Sequence, residues 1–452
     1  MRIAAIAQGS GLMTTTLSSA NDNAPLRIAD RYFAVWAVVL PISTIVLLPI
    51  QGTTPAYLMG LALLAPPVAA LVLGLKGCAL LYRRLLVLAL IFVLLNVLAQ
   101  VAIKASGIWH LGMIQLMDRD DRNIMFRRTM ITQSIYLLPV AVTFIFVRYF
   151  YRPRWDRFLF VGVILLAMYG LYEIGFFTAT GMNGDFLSNR SFASAKGSLF
   201  QTIGIGPLLL QRLKSLTGEP SMYAFTVLPF CIYAWHTGRK RTAGLLFITL
   251  LLTFSTTAAM GMACYLAMRV VFYGPTDRPA IVCLVVLLCI IVLGMGGNNY
   301  VIEIYEKVIL EKFQGAGMSG RMRMKQFEMN MSYFQQAPLL TQIFGLGFGY
   351  ARGSNMFSAL LLNLGVLGWL LVTAIFFIPV FSLGNSDRER GLRAACVVAY
   401  VTMMVAVPEF SYLSTWLFLG MAYNAVAAKR AAAAAVAAPP ENAPAPTRLQ
   451  RA

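Results

Sequence analysis

Histidine is almost missing. His110 and His236 are the only two in 452 residues, too few for a histidine-built metal centre. The six cysteines, at 78, 231, 264, 283, 289 and 396, show no paired spacing, which argues against a zinc site and against a disulfide framework. Charge is scarce as well: only 12% of residues are Asp, Glu, Lys or Arg, about half the roughly 25% of a soluble globular chain. That shortage excludes a soluble enzyme of two or three domains. No basic stripe on a soluble fold is present to serve as a nucleic-acid face. A compact apolar core with a small-residue cleavage site is lacking near the N-terminus, so "TTTLSSANDNAPL" reads as a disordered lead, not a signal peptide.

Hydrocarbon is what the chain has in excess. Hydrophobic residues make up 59% of it and the mean hydropathy is +0.71. Apolar segments of membrane-spanning length succeed one another at 32–50, 56–75, 85–103, 129–150, 158–178, 220–236, 243–255, 258–273, 280–297, 355–381, 393–408 and 411–428. The expected fold is an all-α polytopic membrane protein of about twelve transmembrane helices. One membrane domain, residues 31–428, lies between the N-terminal lead (1–30) and an Ala/Pro-rich tail (429–452) expected to be disordered.

The 37 Lys and Arg sort unevenly over this layout. Lys76, Arg83, Arg84, Arg152, Arg154, Arg239, Lys240, Arg388 and Arg390 fall in short connections on one side, the signature of cytoplasmic loops. Both termini are then cytoplasmic. Three long loops, 104–128, 179–219 and 298–354, are expected to face outward and carry half of the acids beside a modest excess of bases. Such a surface suits an anionic, lipid-linked ligand.

Within the second loop, "RLKSLTGEPSMYAFTVLPF" sets Arg212, Lys214 and Glu219 at the mouth of an apolar run. The third loop opens with a helix laced by Glu303–Lys307 and Lys307–Glu311 pairs, read as a solvated helix without function. After the turn "GAGMSG", with Ser319 as the expected N-cap, Arg321 begins a second helix. Its spacing puts Met324, Phe327, Met331 and Phe334 on one face and Arg321, Lys325, Glu328 and Ser332 on another, as in a helix lying on a membrane surface. Its N-terminus, with Arg321 and Arg323, could seat a phosphate or simply touch lipid headgroups. The glycines of "FGLGFGYARGSN" are not a dinucleotide loop, since no strand precedes them. They are expected to let the backbone re-enter the membrane, bringing Arg352 and Asn355 to the outer end of a span in which Gly365 and Gly368 permit close packing.

The order of these motifs carries a resemblance. "GEPS" entering a span after one outer loop, then "SGR", an amphipathic helix, "GLGFG", an Asn and "NLGVLG" after another, resembles the O-antigen polymerase/ligase superfamily (Wzy-type) from about residue 30 to 428. The resemblance implies a glycosyltransferase of the bacterial inner membrane that needs no nucleotide, metal or other cofactor. It would move a glycan from undecaprenyl diphosphate to the acceptor sugar of another lipid-linked repeat unit on the periplasmic side, building an exopolysaccharide or O-antigen. A flippase and a chain-length co-polymerase would be its pathway partners, and nucleic acid would not be one.

On this resemblance Glu219 orients or deprotonates the acceptor hydroxyl and Arg321 stabilises the departing diphosphate. Arg190, Arg212, Lys214, Arg323, Arg352 and Asn355 contact substrate. The chain departs from the family in two ways: none of Arg190, Arg212, Arg321, Arg323 and Arg352 is followed by glycine at the Arg-x10-Gly spacing of some polymerases, and Ser354 stands where ligases often place a histidine before the Asn. The second departure favours a polymerase over a ligase. A transporter should bury charge at mid-membrane, and Glu173 is the one clear acid within an expected span. A ligase, a transport component and a non-enzymatic assembly subunit remain the other readings.

Overall fold

The computed structural model describes residues 28–48, 52–108, 111–112, 114–118, 124–190, 200–205, 208–273 and 318–437. The expected span 280–297, the Glu303–Glu311 helix, residues 1–27 of the lead and 438–452 of the tail lie outside the described residues.

The chain is mostly helical. Helix α1 (Ile28–Val39) is followed by an irregular stretch and by α2 (Pro55–Ala62), which starts on Thr54 as N-cap with Pro55 next to it. Helix α3 (Pro66–Ala105) is broken at Gly74 but otherwise continuous. Lys76, Arg83 and Arg84 therefore sit on a helix and not in the loop expected between spans 56–75 and 85–103. Helices α4 (Arg128–Ile135), α5 (Leu137–Phe150) and α6 (Asp156–Thr180) come next. The expected outer loop 179–219 folds in part as an antiparallel hairpin, β1 (Thr202–Ile205) with β2 (Leu208–Gln211), followed by a 3-10 turn at Ser215–Thr217. That hairpin is a correction to the all-helical expectation, made possible by the Thr/Ile/Leu content of the strands.

Helices α7 (Pro220–His236), α8 (Lys240–Leu251) and α9 (Thr256–Tyr273) come next in the chain, and the described residues continue with α10 (Met318–Gln336), α11 (Leu339–Phe344), α12 (Met356–Ser382), α13 (Asp387–Val405) and α14 (Leu413–Ala437). Helix α1 takes in Ile28–Asp30 from the expected lead, and α14 runs on to Ala437 within the expected tail.

Among the described residues, four helical stretches are long and apolar enough to cross a membrane: Pro66–Ala105, Arg128–Phe150, Pro153–Thr180 and Met356–Ser382. Helix α7 is apolar on every side and buried almost throughout, packed by α8, α9, α13 and α14. Such a helix finds its solvent in protein and needs no lipid-facing stripe. Helix α3 is the opposite case, with Leu86, Leu90, Val93 and Leu94 exposed.

At one end of the bundle, buried acids gather the bases expected in the short inner connections. Asp30, wholly buried, accepts from Arg154 at 2.5 Å and Trp155 Nε1 at 2.6 Å, with Arg152 at 3.6 Å. Asp156 is bonded by the Tyr151 hydroxyl, by Tyr233 at 2.9 Å and by Arg388 at 3.5 Å. Helices α5, α7 and α13 lead away from this cluster by 14, 17 and 19 residues, roughly 20–30 Å of rise. Their far ends enclose a cavity.

Candidate functional site

The cavity has a volume of about 470 Å³, within the range of small-ligand sites. All three expected outer loops reach it, through Met117, Arg190 and Arg352. Its wall is completed by the connections between α1 and α2 and between α13 and α14, the latter contributing Glu409, Ser411 and Tyr412.

The floor is built by a backbone segment laid against a broken helix. Helix α12 is interrupted at Gly365 (φ 66°, ψ −173°), which releases the carbonyls of Leu362 and Asn363. They accept from Leu346 N and Gly347 N, each at 2.8 Å. The Asn363 side chain accepts from the amides of Tyr350 (2.8 Å) and Ala351 (2.9 Å) and donates to the Ala351 carbonyl at 2.9 Å. From α3, Asn96 accepts from Phe348 N at 2.8 Å and Gln100 donates to Leu346 O at 3.0 Å. Non-helical backbone at membrane depth is tolerated only when its polar groups are satisfied in this way. The glycine-rich stretch is thus packed between α12 and α3. Asn96, Gln100 and Asn363 are what hold it; Asn363 opens the "NLGVLG" motif, whereas for Asn96 and Gln100 the available signal is "LLNVLAQ", an i,i+4 amide pair in a hydrocarbon run.

The expected site residues divide into three groups. Arg190 and Arg352 line the cavity. Arg190 donates to Ser43 O at 3.1 Å. The Arg352 backbone is fixed by Gln115 O at 2.8 Å, Gln326 at 3.2 Å and Asn330 at 3.1 Å, while its exposed guanidinium makes no hydrogen bond or ion pair among the described residues. Asn355 caps α12 by accepting from Ser358 N at 2.9 Å, a structural duty one turn from the cavity wall.

A second group serves the scaffold. Lys214 is completely buried between Asp185 (2.6 Å) and Glu173 (3.3 Å), so its ammonium anchors the loop to α6 and does not reach the cavity. Arg212 donates to the Thr253 and Phe254 carbonyls after α8, at 3.0 and 3.1 Å, and to Gln201 at 2.6 Å. Burial lowers its pKa, and the nearby Glu219 carboxylate opposes that shift. Glu219 itself is the N-cap residue of α7, half-buried, bonded by the Ser221 hydroxyl at 3.2 Å and without an ion pair among the described residues. It stands near Tyr412 but does not line the cavity.

Arg321 and Arg323 form the third group, exposed at the start of α10 and off the cavity wall. Arg323 reaches the Ala406 carbonyl at 3.5 Å. Ser319 falls inside the described helix, not ahead of it as a cap. The packed face of α10 matches the expected one in part: Phe327, Met331 and Phe334 are partly buried and Arg321, Lys325, Glu328 and Ser332 exposed, but Met324 is exposed and Asn330 is completely buried. The amide wins that position because it holds Arg352 O.

The residue that sequence reasoning passed over is Glu409. It is the one acid of the short α13–α14 connection, "VPEFSY", and it lies on the cavity wall. Its Oε1 accepts from the Ser411 backbone amide at 3.1 Å and from the Ser411 hydroxyl. Among the described residues, no group of three or more His, Cys, Asp or Glu side chains comes together to hold a metal.

No family model matches the chain, and no curated protein matches it either.

Proposed function

We propose that this protein is a membrane-embedded glycosyltransferase that takes a glycan from a polyprenyl diphosphate carrier and joins it to the acceptor sugar of another carrier-linked unit, as a polysaccharide polymerase does. The observation that carries the reading is the cavity where the expected outer loops meet, with the open guanidinium of Arg352 on its wall beside Arg190, which is held by Ser43 O. A planar guanidinium suits two phosphate oxygens at once. The apolar exterior of α3 and α12 suits a substrate whose tail stays in lipid.

In such a reaction the energy is already stored in the glycosyl–diphosphate bond. The protein has to hold the diphosphate as charge builds on it and direct one hydroxyl at the anomeric carbon. Arg352 and Arg190 serve the first task. Arg321 and Arg323, out on α10, meet the carrier's headgroup before it enters, and Glu219 supports the loop that frames the cavity.

The test uses the full-length protein in detergent with a synthetic polyprenyl-diphosphate-linked repeat unit and no nucleotide. A ladder of extended products, released carrier diphosphate and loss of both with Arg352→Ala are expected. Transfer only to an added, unrelated acceptor would make the protein a ligase. No transfer from a protein that binds the lipid-linked unit would overturn the enzymatic reading.

A further inference from the structure

The cavity contains a carboxylate placed for chemistry that neither composition nor motif assigned. Glu409 lies on the cavity wall in a connection held at several points. The Tyr57 hydroxyl donates to Ser411 O, Trp416 Nε1 donates to Phe410 O at 2.7 Å, and Glu409 N donates to Val407 O at 2.8 Å. One carboxylate oxygen, Oε1, is pinned by the Ser411 amide and hydroxyl. The other, Oε2, has no hydrogen bond and no ion pair among the described residues. A carboxylate with one oxygen fixed and the other left open is oriented to receive a proton. Glu219 offers less: it sits in the field of Arg212 and lies off the cavity.

We propose that Glu409 accepts the proton of the attacking acceptor hydroxyl, with Ser411 as the residue that positions it; the inference rests on the transfer reaction proposed above. The acceptor oxygen bonds to the anomeric carbon of the donor sugar as that carbon's bond to the carrier phosphate breaks. The bonding pair leaves on the diphosphate, whose charge Arg352 meets, and the hydroxyl proton passes to Glu409 Oε2. Solvent takes that proton before the next turn. Positioned proton acceptors contribute about 10²–10⁴-fold to rate, and because the charge is needed only during transfer, the effect belongs to kcat.

The experiment follows transfer from a lipid-diphosphate-linked repeat unit by the full-length protein, comparing wild type with Glu409→Gln, Glu409→Asp, Ser411→Ala, Glu219→Gln and Arg352→Ala. Glu409→Gln should lower kcat on the order of 10²-fold or more, leave the donor KM and thermal stability near wild type, and abolish the acidic limb of the pH–rate profile. Should the glutamine variant fail to fold, Glu409→Asp carries the test, because it keeps the limb at reduced kcat. Ser411→Ala should lower kcat and retain the limb, whereas Glu219→Gln should keep most of the turnover.

Wild-type turnover by Glu409→Gln, or a loss confined to KM, overturns the assignment; if Arg352→Ala is inactive at the same time, the transfer reading stands without it. A wild-type protein that transfers nothing removes both. A limb lost in Glu219→Gln and kept in Glu409→Gln moves the role to Glu219.

Discussion

Gly345 and Gly365 touch back to back. A Cβ added to Gly345 would lie 2.6 Å from Gly365 N, and one added to Gly365 would lie 2.6 Å from Gly345 N while overlapping the Ile343 carbonyl. Both have positive φ, 76° and 66°, a region that costs any L side chain energy. The contact is where the re-entrant segment docks on the broken α12, so the cavity floor depends on two glycines twenty positions apart.

Gly365→Ala should therefore lower the melting temperature in detergent and reduce folded yield, through strain and overpacking of about 1–3 kcal/mol. Gly175→Ala in α6 is the control, since nothing lies within 4 Å of its added methyl; it should be neutral or slightly stabilising. Equal melting curves for the two variants would show that the docking contact does not constrain the floor.

Lys214→Ala should be among the most damaging substitutions even though it lies outside the cavity. It strands two buried carboxylates, Glu173 and Asp185, and breaking a buried ion pair costs about 3–5 kcal/mol. Combining Lys214→Met with Glu173→Gln and Asp185→Asn removes the stranded charges and should recover much of the folded yield in fluorescence-detected gel filtration. A stable but inactive single mutant would instead return Lys214 to the substrate-binding set.

The arginines separate by function and by stability. Arg352→Ala should abolish transfer without changing thermal stability, and Arg352→Lys should restore only part of it, because a point charge replaces the bidentate fork. Arg212→Ala should destabilise first, leaving carbonyls after α8 without their donor. Arg321→Ala should raise the apparent KM for the lipid substrate with little loss of kcat. Transfer assays run beside melting curves distinguish the three patterns, and an inactive Arg321→Ala with normal KM would bring α10 into the reacting centre.

Glu389 gives the molecule a measurable pH response away from the cavity. It completes a capping box with Ser386 at the start of α13. Burial alone would raise its pKa, but hydrogen bonds from the Ser386 hydroxyl and the Gly384 and Ser386 amides outweigh that and lower it below the ordinary 4.5. A depressed folded-state pKa means stability that is present above 4.5 and lost as pH falls through the folded value. Glu389→Ala should cost about 1 kcal/mol near neutrality, and the gap between its melting temperature and that of wild type should close on acidification. A gap that stays constant down to pH 3 would show that the charge of Glu389 does not contribute.

The sequence alone determined that this is a helical, apolar chain, because hydropathy and the shortage of charge are sums over residues and need no partner. Positions at which the chain must turn, such as "GLGFG" and "GEPS", were also legible, since glycine and proline act locally. Span boundaries were not. Whether Lys76 and Arg83 end a helix or ride on one depends on what surrounds them, and the α3 backbone continues through both.

The roles of the charged residues were least legible of all. Arg212, Lys214, Arg352 and Glu409 are chemically ready for either binding or structure, and only tertiary packing assigned them. Lys214 found two carboxylates from elsewhere in the chain and Arg212 found two carbonyls. Arg352 and Glu409 were left facing the same cavity without an ion partner among the described residues. Long-range pairing decides which charges are consumed by the fold, and for Lys214 and Arg212 it is set by contacts 29 to 42 residues apart that no local pattern encodes.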